Sequence, residues 1–105
     1  MAVAVSKNGV SIRLTDERWQ HITVGHPEVA DYYFEILETI EQPEIIFEGR
    51  NEELIAIKKF EKISPKFIVV IYKELNIEDG FIITSFVSKR QQEFAKKKII
   101  WKQKN

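Results

Sequence analysis

The sequence contains no cysteine, so it has no disulfide bond, no thiolate metal site and no cysteine nucleophile. Its 4 glycines form no glycine-rich phosphate loop, and neither the HExxH pattern of zinc peptidases nor the GxSxG pattern of serine hydrolases occurs. The 2 histidines, His21 and His26, would lie about 140° apart on an unbroken helix and could not form a zinc pair on one helical face. We predict a protein without a metal or another cofactor.

Long apolar runs are also missing, since no segment approaches the roughly 18 residues that a membrane helix needs. The first residues do not resemble a signal peptide. We therefore expect a soluble, cytoplasmic protein that makes no use of a membrane. A chain of 105 residues with 44% hydrophobic content can build one core of moderate size, which predicts a single domain over residues 1–105.

Charge is balanced overall but divided along the chain. Residues 1–57 hold 4 basic and 11 acidic side chains, whereas residues 58–105 hold 12 basic and 5 acidic ones. A basic half suits a phosphate backbone, because each neutralised phosphate releases bound counterions, although a solvated lysine-rich face is the alternative. The residues predicted to bind nucleic acid are Lys59, Lys89, Arg90, Lys96, Lys97 and Lys98.

The first half of the chain reads as a short strand and two helices. Alternating apolar residues at 10–14 predict the strand, after a flexible start. Residues 15–16 can cap a first helix, which Gly25 interrupts. Pro27 suits a first helical position, so a second helix is predicted over residues 27–42.

The second half has the period of β-strands. Four strands separated by short turns are predicted at residues 45–49, 53–60, 67–75 and 80–88. Short links favour antiparallel pairing of successive strands. Residues 89–105 are predicted to form a basic C-terminal helix, with an extended tail as the alternative. The predicted fold class is α+β, with a leading strand and two helices followed by a four-stranded antiparallel sheet and the C-terminal basic helix.

His26 is the first candidate for chemistry. It stands directly before Pro27, which forces an extended backbone at the histidine. Its ring is expected beside the amino end of the next helix, where the dipole favours a neutral imidazole of the kind that a general base requires. The alternatives are that His26 caps the helix or packs, and that His21, beside Trp19 and Ile22, packs or supports the site.

Polar residues interrupt two of the apolar strands. Lys58 and Lys59 fall on opposite faces of one strand, and regular alternation places Thr84 on one face with Ile82 and Phe86. A base, a cation and a hydroxyl can together cleave RNA, because the base removes the 2′-OH proton while the other two stabilise charge on the phosphate. The product would be a 2′,3′-cyclic phosphate. A threonine that merely suits a strand is the alternative.

Five segments carry a resemblance to a known family, namely HITVGHPEV, IEQPEII, IAIKKF, FIVVIYK and FIITSF. Over about residues 10–90 they resemble the phage-type branch of the barnase–EndoU–colicin–RelE-like nucleases. These are small α+β ribonucleases, found in phage proteins and as toxins, with helices before a four-stranded antiparallel sheet. Together with the missing metal ligands, the resemblance predicts a metal-independent endoribonuclease. The catalytic residues that it implies are His21, His26, Thr84 and a lysine matching Lys58, with Lys59 as the alternative.

RNA is the expected partner, and the resemblance implies an antitoxin or inhibitor protein as a second one. Two functions without catalysis stay open. The chain could be a nucleic-acid-binding module that uses residues 89–105 and Trp101, or an interaction protein whose acidic second helix docks a basic surface. A monomer or a weak homodimer is expected.

Overall fold

The computed structural model describes residues 1–104, which form one mixed β-sheet with two α-helices. The strands are β1 (Ala2–Val5), β2 (Ser11–Leu14), β3 (Ile45–Glu48), β4 (Leu54–Lys59), β5 (Phe67–Glu74), β6 (Asp79–Ser88) and β7 (Ile99–Lys102). The helices are α1 (Asp16–Gly25) and α2 (Tyr33–Glu41), and 3₁₀ turns span Pro27–Val29, Glu61–Ile63 and Gln91–Phe94. Within residues 1–104, neither helix has the length and apolar character to cross a bilayer.

The sheet has seven strands in the order β1-β2-β6-β5-β4-β3-β7. Strands β2 and β6 run parallel, and all other neighbours are antiparallel. The four predicted strands β3 to β6 are present and pair in succession. The prediction of a four-stranded antiparallel sheet is nevertheless wrong, because β1, β2 and β7 extend it to seven strands and the β2–β6 pair makes it mixed.

The predicted flexible start is strand β1 of an N-terminal hairpin. Alternating AVAV turns Ala4 into the core and leaves Val3 and Val5 exposed. Gly9 has a φ of 80°, a left-handed conformation that glycine adopts without steric cost, and so lets the chain turn from β1 into β2. Four alternating small and branched residues were too short a pattern to predict this strand.

The predicted C-terminal basic helix is also wrong. After the turn Gln91–Phe94, the chain extends and β7 pairs antiparallel with the edge strand β3. Phe94 is buried against the sheet in a cluster with Phe47 and Phe67. The chain therefore follows the surface of the sheet at this point. The branched pair Ile99 and Ile100 also suits a strand.

The predicted second helix is divided into two parts. Pro27 begins a 3₁₀ turn whose last residue, Val29, is completely buried, and α2 begins only at Tyr33. Burial of Val29 anchors the turn to the core and sets a new direction for α2. Ile36 and Ile40 of α2 are then fully buried, each stabilising the fold by roughly 1.5–3 kcal/mol.

The two faces of the sheet differ in what covers them. The helices cover one face, whose main buried residues are Ile46, Ala56, Ile68, Val70, Tyr72 and Ile82. The opposite face, called the open face below, carries a smaller cluster of Phe47, Ile55, Ile57, Phe67 and Val69, onto which Phe94 packs. The sheet curls around α2 so far that Nζ of Lys7, in the first hairpin, lies 5.2 Å from the ring centre of Trp101 in β7.

Strand β2 joins the sheet through a close contact with β6. Ile12 pairs with Gly80, and a Cβ on Gly80 would stand 2.7 Å from Cδ1 of Ile12 and 2.4 Å from the carbonyl oxygen of Lys73. One residue further along β2, Arg13 donates two hydrogen bonds to Asp79, at 2.7 and 2.9 Å. Glycine at position 80 therefore leaves room for the backbone of β5 on one side and for the Ile12 side chain of β2 on the other.

Replacing Gly80 by alanine should destabilise the protein by about 1–3 kcal/mol, because the added methyl group overlaps backbone that cannot move aside. Gly25→Ala is the matched control, since a Cβ there meets no atom within 4 Å and alanine suits a helix end. Urea unfolding measures both variants. Equal stabilities of the two variants would contradict the close packing of β5 and Ile12 around Gly80.

The Arg13–Asp79 pair makes stability depend on pH. The hydrogen bonds and charge of Arg13 hold the pKa of Asp79 below its ordinary value. A carboxyl group with a lowered folded-state pKa adds stability above its unfolded pKa of about 3.9 and loses it as the pH falls through the folded value. Asp79→Asn should therefore lower the urea midpoint at pH 7, and the difference from the unmodified protein should vanish in acid. A difference independent of pH would contradict this account, and Asp31→Asn is the control.

Candidate functional site

The free edge of β6 organises the candidate site. On β6, strand β2 reaches only Asp79–Phe81, and in the described part of the chain no strand flanks residues 82–88 on that side. Helix α1 and the turn after it lie there instead, and Nη1 of Arg18 donates to the carbonyl oxygen of Ile83 at 3.4 Å. Ile83 is the additional residue of a β-bulge opposite Ile71 and Tyr72. Such bulges often occur beside functional sites because they redirect side chains.

The bulge also corrects the predicted face of Thr84. Ile82 pairs with Tyr72 on the helix-covered face, whereas Thr84 pairs with Ile71 on the open face. Regular alternation had placed Ile82 and Thr84 on one face. Ser85 now points into the helix-covered core, where its hydroxyl donates to the carbonyl oxygen of Val69 at 2.8 Å.

His26 is fixed against this edge and remains accessible. Its backbone N–H caps α1 by donating to the carbonyl oxygen of Ile22 at 2.7 Å. Its ring centre lies 5.6 Å from that of Phe86 on β6, and its Nδ1 lies 3.5 Å from Oε2 of Glu28. The side chain is 41% exposed. An aromatic neighbour and a carboxylate thus orient the imidazole, while solvent or a ligand can still reach it.

The predicted dipole effect on His26 does not apply in this structure. His26 stands at the carboxyl end of the ten-residue α1, and only the three-residue turn Pro27–Val29 follows it. A turn of that length has no substantial macrodipole, since the dipole sums over many aligned peptides. Contacts with Glu28 and Phe86, rather than a helix amino end, define the surroundings of the ring.

A depression of about 540 Å³ lies beside His26 and is called the edge depression here. Its lining consists of Glu28, Lys66, Phe86, Val87, Ser88, Lys89, Arg90 and Glu93. Glu28 and Phe86 are the two neighbours of His26, so the imidazole stands at the rim of the depression. Among residues 1–104, the side chains of Lys66, Lys89 and Arg90 form no ion pair within 4.0 Å. Three cations are therefore available to an anion placed there.

Hydrogen bonds fix the floor of the edge depression at the end of β6. Ser88 donates from its hydroxyl to Oε1 of Glu93 at 2.8 Å and accepts from the backbone N–H of Arg90 at 3.1 Å. These bonds occupy Glu93 and set the direction of the chain through residues 88–93. Lys89 and Arg90 are exposed on this turn.

Lys66 and Glu28 were not predicted as site residues. The pairing of Phe67 with Ser88 brings Lys66, directly before β5, to the same end of the sheet as Lys89, directly after β6. The predicted antiparallel order of these two strands contained that information, because it makes the start of one strand adjacent to the end of the other. The proximity of Glu28 to His26 depends on the 3₁₀ turn, which the sequence pattern did not distinguish from a helix.

The predicted catalytic residues other than His26 lie in different places. His21 is exposed on α1 and lines a separate depression of about 590 Å³ with Glu17, Arg18 and Val24. Lys58 lies on the helix-covered face, opposite to the face of Thr84. Along the strands, Thr84 lies on the open face close to Phe86, the neighbour of His26.

Lys58 is engaged at the end of α2. Its Nζ donates to the carbonyl oxygen of Gln42, the C-cap of α2, at 2.9 Å and lies 3.9 Å from Oε2 of Glu38. Its side chain is 17% exposed. A lysine at a helix carboxyl end satisfies a carbonyl that has no partner within the helix. Lys59 points to the open face and is exposed, on the order of 15 Å from Thr84 by strand register.

The predicted basic residues divide between two surfaces. Lys89 and Arg90 line the edge depression, whereas Lys59 and Lys97 line a second cleft on the open face. Lys96 and Lys98 are exposed and are the sequence neighbours of Lys97, which lines that cleft. In the described ranges, no three His, Asp or Glu side chains come together as a metal site requires.

Comparison with known proteins identifies a fold but no family. No protein-family profile matches the chain, and no curated protein matches it. Among solved structures, the chain is similar to the ribonuclease toxin BrnT of Brucella abortus, with a TM-score of 0.52 and 22% sequence identity over 75% of this chain and 96% of that one. The chain therefore has a fold that a ribonuclease toxin also has. The comparison does not support the specific barnase–EndoU–colicin–RelE-like family predicted from the sequence.

The hydrogen bond from Lys58 to the carbonyl oxygen of Gln42 indicates a structural role, which stability measurements distinguish from a catalytic one. Lys58→Met should lower the free energy of unfolding by about 1.5 kcal/mol, because it removes a charged donor from the end of α2 and keeps the apolar stem. Lys59→Met is the matched control and should change stability by less than about 0.5 kcal/mol. Thermal and urea unfolding measure both. Full stability of Lys58→Met with loss of activity would instead support the catalytic role predicted from sequence.

Proposed function

We propose that this protein is a toxin-type endoribonuclease that cleaves RNA without a metal ion, leaving a 2′,3′-cyclic phosphate, and that His26 is its general base. The observation that supports this most directly is the accessible imidazole of His26 at the rim of a depression with three cations. The likeness of the fold to a ribonuclease toxin adds to it. Neither observation depends on the other.

Proton transfer is the role of His26. With Nδ1 directed towards Glu28, the other ring nitrogen, Nε2, is left to face a ligand. Nε2 takes the proton of the ribose 2′-OH as its oxygen attacks the adjacent phosphorus. A bond from phosphorus to the 2′-oxygen forms, the bond to the 5′-oxygen breaks, and the leaving oxygen takes up a proton from water. The protonated imidazole then pairs with Glu28.

Charge stabilisation is the role of the three cations. The negative charge on the phosphate oxygens is most concentrated in the transition state, so fixed positive groups lower the barrier. Arg90 can bind two phosphate oxygens at once, whereas Lys66 and Lys89 act as point charges. All three are exposed and line one depression, which allows them to reach the same phosphate.

An aromatic surface is available for a base. Phe86 lines the edge depression beside His26, with the two ring planes tilted by 34°. Stacking on an aromatic ring tolerates any base and is worth about 1–3 kcal/mol per base. Phe86 would thus hold the nucleotide whose 2′-OH meets His26.

The remaining residues predicted from sequence enter the proposal differently. Thr84 is retained as a hydroxyl that contacts the substrate, because it shares the open face with Phe86. His21 and Lys58 lie away from the edge depression, and the cleavage rates of His21→Ala below and of Lys58→Met above test their predicted catalytic roles. The barnase–EndoU–colicin–RelE-like resemblance stays a proposal about ancestry.

An antitoxin or inhibitor partner belongs to the same proposal. A cytoplasmic ribonuclease endangers its own cell unless another protein covers its site, and the edge depression is the surface to be covered. The acidic residues of α2 are less suited to docking a partner, because several are engaged within the chain. Glu35 binds Lys62, Glu38 lies near Lys58, and Glu41 accepts from the backbone N–H of Val5.

The test is cleavage of a defined single-stranded RNA by the purified protein in EDTA, with analysis of the fragment ends. The unmodified protein should leave cyclic phosphates, and His26→Ala should lower the rate by about 10²–10⁴-fold. His21→Ala is the matched control, since it removes the other histidine, which lines a separate depression. Thermal unfolding of each variant shows whether the fold is intact.

Three results would contradict the proposal. They are intact RNA with the unmodified protein, cleavage that EDTA abolishes, and equal losses in His26→Ala and His21→Ala. RNA that is bound but not cleaved would support the non-catalytic nucleic-acid-binding module instead.

A further inference from the structure

A second cleft, called the open-face cleft here, occupies the open face on the far side of the turn Gln91–Phe94. It has a volume of about 590 Å³, within the range of pockets that hold small ligands. Its floor is apolar and includes Phe47, Phe67 and Phe94, and the rings of Phe47 and Phe94 stack with centres 5.6 Å apart. The proposed catalytic residues do not line it.

The rim of the open-face cleft is polar and mainly basic. Lys59, Lys97 and Lys102 supply three positive charges, and Glu44 supplies one negative charge. Oε1 of Glu44 accepts from the backbone N–H of Lys59 at 3.2 Å, which fixes the carboxylate in the wall. The amides of Gln91 and Gln103 complete the rim. An apolar floor with cations and hydrogen-bonding groups at its edge suits an aromatic, anionic ligand.

The open-face cleft lies next to the edge depression. The turn Gln91–Phe94 separates them, with Gln91 and Phe94 lining the cleft and Glu93 lining the depression. On the sheet, Lys59 of the cleft pairs with Phe67, and Lys66 of the depression directly precedes Phe67. Cations therefore follow one another from His26 across the turn to Lys102, and a single extended chain of phosphates could contact both sites.

We propose that the open-face cleft binds single-stranded RNA, holding nucleotides beyond the two that flank the cleaved bond, with their phosphates on Lys59, Lys97 and Lys102. This inference rests on the proposed ribonuclease function. The position next to the edge depression, across one short turn, favours RNA over an acidic peptide as the occupant. Glu44 favours it too, because a carboxylate repels acidic side chains and accepts hydrogen bonds from the amino groups of bases.

The test measures binding without requiring cleavage. The probe is a fluorescent ten-nucleotide single-stranded RNA with 2′-O-methyl riboses, which lack the attacking hydroxyl. The double variant Lys97→Ala/Lys102→Ala should bind it at least about tenfold more weakly at 0.1 M salt, with a salt slope lower by about 1.4, since single strands give about 0.7 per phosphate contact. The matched control, Arg50→Ala/Lys62→Ala, removes two cations outside both sites and should bind within about twofold of the unmodified protein.

The same variants separate this inference from the function on which it rests. In a cleavage assay, Lys97→Ala/Lys102→Ala should reduce kcat/KM for a ten-nucleotide RNA about tenfold and leave a dinucleotide substrate unaffected. Normal binding and cleavage of long RNA by this variant would overturn the inference while the nuclease stands. Equal losses in both double variants, absence of RNA binding by the unmodified protein, or binding of an acidic peptide in its place would also overturn it. If only Lys97→Ala/Lys102→Ala loses binding and the unmodified protein cleaves no RNA, the result would support RNA binding in the cleft and contradict the proposed nuclease function.

Discussion

The parallel contact between β2 and β6 is the constraint on which the rest of the structure depends. Ile12 of β2 packs over Gly80 of β6, where a side chain would also meet the backbone of β5, and the Arg13–Asp79 pair joins the two strands. This contact joins the N-terminal hairpin to the antiparallel strands β3 to β6. Because β2 ends at Leu14, the remainder of β6 keeps a free edge. Helix α1 then crosses that edge and brings His26 to Phe86.

The division of the sheet into two faces explains where chemistry can occur. On the helix-covered face, polar groups are engaged in the structure, as shown by Ser85 bonded to Val69 and Lys58 bonded to Gln42. On the open face and at the free edge of β6, lysines and Arg90 remain exposed. Most of the 12 basic residues in the second half of the chain lie in turns and connecting segments, among them Lys66, Lys89, Arg90 and Lys97, which line the edge depression and the open-face cleft.

The sequence allowed the central elements to be predicted because their patterns are long. Strands β3 to β6 and the end of α1 at Gly25 follow from runs of apolar residues and from their interruptions. Strand β1 was not predicted although it pairs locally with β2, whereas β7 depends on pairing with the distant β3, which the composition of residues 89–105 does not indicate. A helix was predicted over residues 89–105 from their basic composition, whereas the burial of Phe94 determines the path of the chain there.

The candidate site was predictable only in part. His26 stood out because Pro27 follows it, but its two neighbours come from a 3₁₀ turn and from the far end of β6. The opposite faces of Lys58 and Lys59 followed from strand alternation, and the structure places Lys58 on the covered one. The face of Ile82 relative to Thr84 did not follow, because a single bulge residue, Ile83, reverses the alternation. One-residue irregularities of this kind depend on tertiary packing.

The central claim is that RNA binds at the free edge of β6 beside His26. The most direct measurement is a titration of the isotope-labelled protein with a 2′-O-methyl trinucleotide, followed by nuclear magnetic resonance of the backbone amides. The account predicts that the largest changes occur at His26, Glu28, Lys66 and residues 86–90. Changes confined to the surroundings of His21 or Lys58, or no change at saturating RNA, would contradict it.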